Sequence, residues 1–397
     1  MIALAACGTN EAGNIAAPTL GDTSHPAEPG SPVDALRDAC GTGTPTLAGV
    51  VIARQPYLQQ VTATSAIIGW VTNGTDEQRV EVTHPDGLPV MTASAGIEAG
   101  AVRVRSDESQ MWATVSGLQP NTIYCYGVAN AEALNARTGF RTAPAADSTA
   151  PVKFLVFGDS GGGGSDQYAL RDQMFAYPYD LIIHTGDIAY DDGTISEFED
   201  NVFTVYAELF RNIPFFPAAG NHEYNSSSSA APFRSVFALP DANGEKWYSY
   251  DWGPVHFVAL DTEADYQTQV DWLDEDLSAQ AKPWKVIYMH RPPYSSGEHG
   301  SDTGLRTKLA PILEKHHVQL VLSGHDHDYE RMVPQNGTSF VVTGGGGRGT
   351  RNVGSSEFTA LSVEVIHFVF AEVNADEMIL HAVDGTGLEF DSMVIPR

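Results

Sequence analysis

Five short segments place a carboxylate, amide, phenol or imidazole directly after an apolar run. They are Phe157-Gly-Asp159-Ser-Gly161, Thr185-Gly-Asp187-Ile-Ala-Tyr190, Ala219-Gly-Asn221-His222-Glu223, Tyr288-Met-His290 and Ser323-Gly-His325-Asp-His327. Any one Gly-Asp pair reads as an ordinary turn. Five in succession, each with a metal-ligand side chain, read as a ligand set. A glycine before the ligand lets backbone and ion approach closely. His325 and His327 are two apart, so they share a face in a strand, whereas a turn just past a strand can aim them at different ions.

Such a set needs elements that end together. From Val152 onward, apolar and β-branched runs at 152–157, 181–183, 286–289 and 320–322 alternate with helical patterns near 167–175, 197–209, 267–277 and 305–316. This alternation predicts an α/β domain whose site lies at the carboxyl ends of the strands. Ser362–Val373, Glu377–Val383 and Leu388–Ile395 read as consecutive antiparallel strands, so the expected architecture is a two-sheet sandwich flanked by helices. Ahead of it, 48–142 shows short alternating runs such as Ala66–Thr72, Val80–Thr83 and Ala101–Arg105. Turn residues stand between them at Asn73-Gly74 and Pro85-Asp-Gly87, and no helical period appears, which predicts an all-β sandwich. The division is 1–45 as leader and unstructured linker, 46–143 as the sandwich, and 151–397 as the α/β domain.

The chain of 397 residues carries 50 acidic and 22 basic side chains, a formal net charge of −28. No basic surplus exists to neutralise phosphates, which argues against nucleic acid or an anionic membrane as partner. An anionic small substrate remains compatible, because a metal site can be locally positive on an acidic protein. Leu4-Ala-Ala-Cys7 is similar to a bacterial lipoprotein cleavage box, which makes Cys7 a candidate lipid anchor; the other reading is an ordinary small-residue N-terminus. Cys40 and Cys125 either pair in an oxidising compartment or stay free thiols. His184, His256, His367 and His381 sit within strand-like runs and read as core or as support for the site.

Two resemblances sharpen these expectations. Trp70 and Leu118-Gln-Pro120-Asn-Thr-Ile-Tyr124-Cys-Tyr126 make 46–143 similar to a fibronectin type III domain. The five motifs, in their order, resemble the purple acid phosphatase branch of the calcineurin-like metallophosphoesterases. Other members of that superfamily open with Asp-x-His, whereas Asp159 here is followed by Ser160 and Gly161, and Tyr190 stands three residues after Asp187 as the replacement ligand. The resemblance implies that Asp159, Tyr190 and His327 bind Fe(3+) and that Asn221, His290 and His325 bind a divalent ion (Zn, Fe or Mn), with Asp187 bridging. It implies hydrolysis of phosphate monoesters by in-line attack of a metal-bound hydroxide, with His222 holding phosphate or protonating the leaving alkoxide. His299 lies in the loop where family members carry substrate histidines, often as an adjacent pair, but its neighbours here are Glu298 and Gly300. The implied protein is secreted, periplasmic or at the cell surface. The alternatives are a phosphodiesterase on the same dimetal core and a non-catalytic surface adhesion protein.

Overall fold

The computed structural model describes residues 19–43, 52–73, 77–129, 137–240, 243–244 and 246–397. Cys7, and Gly74 of the expected turn, lie outside the described residues. The first domain contains β1 (Ile52–Gln59), β2 (Ser65–Asn73), β3 (Arg79–Thr83), β4 (Pro89–Ser94), β5 (Gly96–Ile97), β6 (Glu108–Ser116), β7 (Ile123–Ala129) and β8 (Thr138–Arg141). They form two four-stranded sheets, in order β1-β2-β6-β5 and β4-β3-β7-β8, every pair antiparallel. Alternate residues turn inward, so Ile68, Trp70, Val80, Val82, Tyr124 and Phe140 fill the space between the sheets. Trp70 and Tyr124 are core residues whose polar atoms are satisfied: Trp70 Nε1 donates to Gln78 Oε1 at 2.6 Å, and Tyr124 Oη accepts from the Gln119 backbone at 2.9 Å.

Two expectations fail here. Ala101–Arg105 alternates like a strand but has no sheet partner. Its Val102 N–H is taken by Ser235 Oγ at 3.0 Å, and Val104 stays exposed. The segment expected as unstructured linker is held in place from residue 19 to 43. Gly21 N–H donates to the Phe390 carbonyl at 2.6 Å, helix α1 (Asp34–Cys40) buries Val33, Leu36 and Cys40, and a Cys40–Cys125 disulfide ties it to β7. Linker composition misled because a few anchors at an exposed sheet edge suffice to order a polar segment.

The second domain runs through β9 (Val152–Phe157), α2 (Ser165–Met174), β10 (Leu181–His184), α3 (Ile195–Glu197), α4 (Thr204–Asn212), β11 (Phe215–Pro217), α5 (Ala231–Val236), β12 (Tyr248–Trp252) and β13 (Val255–Ala259). It continues with α6 (Tyr266–Ala279), β14 (Trp284–Tyr288), α7 (Thr303–Lys315), β15 (Leu320–Ser323), β16 (Tyr329–Met332), β17 (Ser339–Thr343), β18 (Thr359–Val363), β19 (His367–Val373), β20 (Glu377–Asp384) and β21 (Glu389–Pro396). These strands make a six-stranded sheet, β11-β10-β9-β19-β20-β21, and a seven-stranded one, β12-β13-β14-β15-β17-β16-β18. The two meet through an apolar layer in which Phe154 and Phe257 pack edge to face at 5.3 Å. Leu273 and Leu277 of α6 and Leu309 and Leu313 of α7 cover the outer face of the second sheet over Val258, Ile287 and Val321. The run 362–373, expected as one strand, is divided: β18 pairs with β16 in one sheet and β19 with β9 and β20 in the other. The buried Val365 and Ile366 make the crossing between them.

Parallel pairing sets the direction of the site. β9, β10 and β11 run parallel in one sheet, and β13, β14, β15 and β17 run parallel in the other. The carboxyl ends of β9, β10, β11, β14 and β15 are therefore followed by the five ligand-bearing segments.

Candidate metal centre

All seven residues expected as ligands converge. Tyr190 Oη lies 3.0 Å from Asp159 Oδ1, 3.1 Å from Asp187 Oδ2 and 3.2 Å from His327 Nε2. His290 Nε2 lies 3.2 Å from the same Asp187 Oδ2, 3.1 Å from Asn221 Oδ1 and 3.0 Å from His325 Nδ1. Asp187, His290 and His325 form a group able to hold an ion, with donor atoms within 4.8 Å of one another. Asp187 Oδ2 is thus common to two donor sets.

The turns that deliver these side chains are strained. Asp159, Asp187 and His325 have φ of 57°, 54° and 72°, in the left-handed region that residues with a Cβ seldom adopt. Each costs about 1–3 kcal/mol and persists only where the surroundings over-determine it. Glu223 supplies much of that determination. Its carboxylate accepts from the backbone N–H groups of Asp187 (2.9 Å), Ile188 (2.8 Å), Ala189 (3.2 Å) and Gly220 (2.8 Å). Burial, then the charge of Asp187, pushes Glu223 up to about 8. Glycines are required where the segments touch. A Cβ on Gly220 would stand 2.2 Å from Asp187 Oδ1, and one on Gly324 would stand 2.4 Å from Asp159 Oδ2. The run Gly344–Gly347 is buried for the same reason: a Cβ on Gly346 would stand 2.1 Å from the Gly158 carbonyl oxygen.

Do these residues fit metal ions? His290 Nδ1 is 3.0 Å from the Thr185 carbonyl, which can only accept, so Nδ1 carries the hydrogen and a neutral ring keeps its lone pair on Nε2. That nitrogen, an amide oxygen, a carboxylate oxygen and a second imidazole then face a common point. Metal bonds of about 2.1 Å place neighbouring octahedral donors roughly 3.0 Å apart, and the spacings within both sets run from 3.0 to 3.4 Å. The electrostatics agree. Burial lowers the pKa of His290, but the charges of Asp187 and then Asp159 outweigh it and push the imidazole up to about 10, so positive charge is wanted at that nitrogen. Burial, then Asp159 and Asp187, holds the Tyr190 phenol well above its usual range. The donor sets fit one ion each.

Two histidines flank the centre. His222 Nδ1 donates to the Asp191 carbonyl at 2.5 Å, its ring lies over Tyr190 with centroids 4.2 Å apart, and its Nε2 is 3.7 Å from Asp187 Oδ2. His299 lies over the His325 ring with centroids 4.3 Å apart, and its Nε2 is hydrogen-bonded to Arg351. His184 is buried with Nε2 2.9 Å from Ser160 Oγ, and burial pulls it down to about 3. The sequence reading missed three arginines: Arg291 beside His325, Arg348 over the Tyr190 ring at 5.1 Å, and Arg351 beside His299. No spacing rule marks them, because their loops meet the centre only in the folded chain.

Comparison with known proteins agrees with this geometry. Residues 152–329 match the family described as calcineurin-like phosphoesterase, and residues 54–142 match the purple acid phosphatase N-terminal domain. Acid phosphatase type 7 of Homo sapiens is 30% identical over 251 residues, 56% of this chain and 56% of that protein. The probable inactive purple acid phosphatase 27 of Arabidopsis thaliana is 28% identical over 346 residues, 70% of this chain and 56% of that protein. The chain thus spans just over half the length of these relatives. The solved purple acid phosphatase PPD1 from yellow lupin seeds shares the fold, with a TM-score of 0.76 at 22% identity over 86% of this chain and 74% of that one.

Proposed function

We propose that this chain, which joins a purple acid phosphatase N-terminal domain to a calcineurin-like phosphoesterase domain, is an acid phosphatase that hydrolyses small phosphate monoesters at a dimetal centre. One observation carries the reading: Asp187 Oδ2 is shared between two donor sets, one built on a phenol and one on imidazoles and an amide. Asp159, Tyr190 and His327 would hold Fe(3+), whose preference is for hard oxygen donors, while Asn221, His290 and His325 would hold a divalent ion (Zn, Fe or Mn), with Asp187 common to both. Bound there, two such ions supply charge to clamp ester oxygens and lower the pKa of water.

The chain's own groups do the rest. His222 keeps Nδ1 on the Asp191 carbonyl, so its Nε2 is the atom free to carry a proton to a leaving alkoxide. Asp191 fixes that ring from outside the centre, while Arg348 bonds the Asp191 carboxylate at 2.6 Å and holds the segment in place. Glu223, bonded to four backbone N–H groups, fixes the turn that presents Asp187. The Cys40–Cys125 disulfide supports an oxidising compartment, consistent with a secreted, periplasmic or cell-surface protein, and Cys7 is the candidate lipid anchor. The first domain, a fibronectin III-like support in this reading, braces the catalytic one through Arg54 on Glu199 and Tyr57 Oη on the Val236 carbonyl at 2.6 Å.

The test is metal content of the purified chain together with turnover of p-nitrophenyl phosphate against bis(p-nitrophenyl) phosphate. Iron plus a second metal, with the monoester preferred, supports the reading. Preference for the bis ester makes it a diesterase on the same centre. A metal-loaded protein that turns over neither refutes hydrolysis.

A further inference from the structure

We infer that Arg351, and not His299, contacts the phosphate group of the substrate, and that His299 is the positioning residue that holds Arg351; this rests on the reading of the centre as a phosphate-ester hydrolase. The two flanking histidines are arranged alike but end differently. Each ring lies over the ring of a candidate ligand, His222 over Tyr190 and His299 over His325. His222 leaves Nε2 free on the side of the centre. The Nε2 of His299 faces Arg351 Nη1. A guanidinium is always charged and only donates, so His299 Nε2 is an acceptor and has no proton to give from that atom.

Arg351 is fixed on the opposite side of that bond as well. Nη1 donates to the His325 carbonyl at 3.2 Å, and its backbone N–H donates to the His327 carbonyl at 3.0 Å. The guanidinium is therefore anchored to the segment that carries two candidate ligands. Its neighbours among the arginines are matched by carboxylates: Arg291 by Glu263 at 2.6 and 3.0 Å, and Arg348 by Asp191 at 2.6 Å. Among the described residues Arg351 forms no ion pair with a carboxylate; its acceptors, an imidazole and a carbonyl, are neutral. Asp328 feels the charge of Arg351 but makes no hydrogen bond to it, so the Nε and Nη2 of Arg351 keep hydrogens to donate to an anion. A planar fork of donors matches the oxygens of a phosphate.

The experiment measures inorganic phosphate binding to the metal-loaded protein by calorimetry, beside kcat/KM for p-nitrophenyl phosphate. Arg351→Met should weaken phosphate binding and lower kcat/KM by roughly 10- to 100-fold, the range for a hydrogen bond to a charged group. Arg351→Lys, which keeps charge but loses the fork, should fall between. His299→Ala should weaken phosphate binding by about 3- to 10-fold, and His299→Gln, whose amide oxygen can still accept, should recover part of that loss. Metal content should be that of the unmodified protein in all four. Should both Arg351 variants bind phosphate as tightly as the unmodified protein, the inference is overturned while the hydrolase reading stands. The same holds if they lose metal or melting temperature and, once reloaded, regain full phosphate affinity, since Arg351 would then be structural only. Equal losses for His299→Ala and His299→Gln would overturn the positioning role. An unmodified, metal-loaded protein that neither binds phosphate nor hydrolyses the ester would sink both readings together.

Discussion

His256, near the start of β13, has a carboxylate on each ring nitrogen: Asp251 at 2.7 Å from Nδ1 and Asp276 at 2.8 Å from Nε2. His381 in β20 lies between Glu389 and Glu372. His290, at the end of β14, meets the same kinds of groups to another effect. Its Nδ1 is held by a carbonyl, and its Nε2 is faced by an amide oxygen, a carboxylate oxygen and another imidazole at once. In the first case each ring nitrogen of His256 meets one carboxylate, which a single hydrogen on each nitrogen matches. In the second, acceptors converge on a point that one proton cannot satisfy. Residue type does not separate a structural histidine from a ligand; the count of lone pairs aimed at one place does.

Asp187 tests that contrast most severely, because its Oδ2 belongs to both donor sets. Asp187→Ala should remove or scramble both metals and lower turnover by roughly 10⁴-fold or more, while the disulfide-tied sandwich stays folded. Metal analysis and near-UV circular dichroism of the purified variant check this. Normal metal content with normal turnover would place Asp187 among the matched structural carboxylates.

The next largest effect belongs to His222, beside candidate ligand Asn221 but outside both donor sets. His222→Ala should lower kcat by roughly 10²- to 10⁴-fold with metal content unchanged. Esters with good leaving groups, which need no proton, should lose least. An equal loss across a leaving-group series would reassign His222 to phosphate binding alone.

What the sequence could reveal follows from locality. Each candidate ligand sits close after a strand end, so apolar runs followed by donors marked the five segments, while the choice of seven residues within them rested on the resemblance, in which the loss of His after Asp159 together with Tyr190 marks the branch. Strand positions such as 152–157 and 320–322 were readable because buried parallel strands are continuously apolar. Other features depend on contacts between distant segments. Arg351 reaches His299 across 52 residues, Gly21 reaches Phe390 across nearly the whole length of both domains, and 362–373 splits because its halves find partners in different sheets. Ala101–Arg105 has the alternation of a strand but no neighbour left to pair with.

Tyr190 gives a smaller effect on rate and a plain one on colour. A phenolate on Fe(3+) absorbs in the visible, which imidazole and carboxylate ligands do not. The iron-loaded, oxidised protein should be pink to purple, and Tyr190→Phe should bleach it while Asp159, Asp187 and His327 still hold iron. Turnover should fall by about 10-fold or less, since the proposed role of Tyr190 is that of a ligand and not of an acid or base. An iron-replete, oxidised protein with no visible band would show that Tyr190 is a packed aromatic, on the matched side of the contrast.

The smallest effect is expected at His256, and it has a direction with pH. Burial lowers the pKa of this ring, but its hydrogen bonds to Asp251 and Asp276 outweigh burial and raise it above 6.5 in the folded chain. A raised folded value means that the charged ring is favoured by folding. Its contribution is therefore complete below about pH 6.5, where the unfolded histidine is also protonated, and is lost as pH rises through the folded value. His256→Gln should cost about 1–2 kcal/mol at pH 6, moderated by the partial exposure of Asp251, which is a few degrees or less of melting temperature in a chain of this size. The gap between variant and unmodified protein should narrow above pH 6.5. Metal content and turnover should not change, because both nitrogens are already matched and neither faces the centre. A gap that widens with rising pH would mean that His256 is neutral when buried, and a loss of metal would mean that a closed pair of this kind still supports the site.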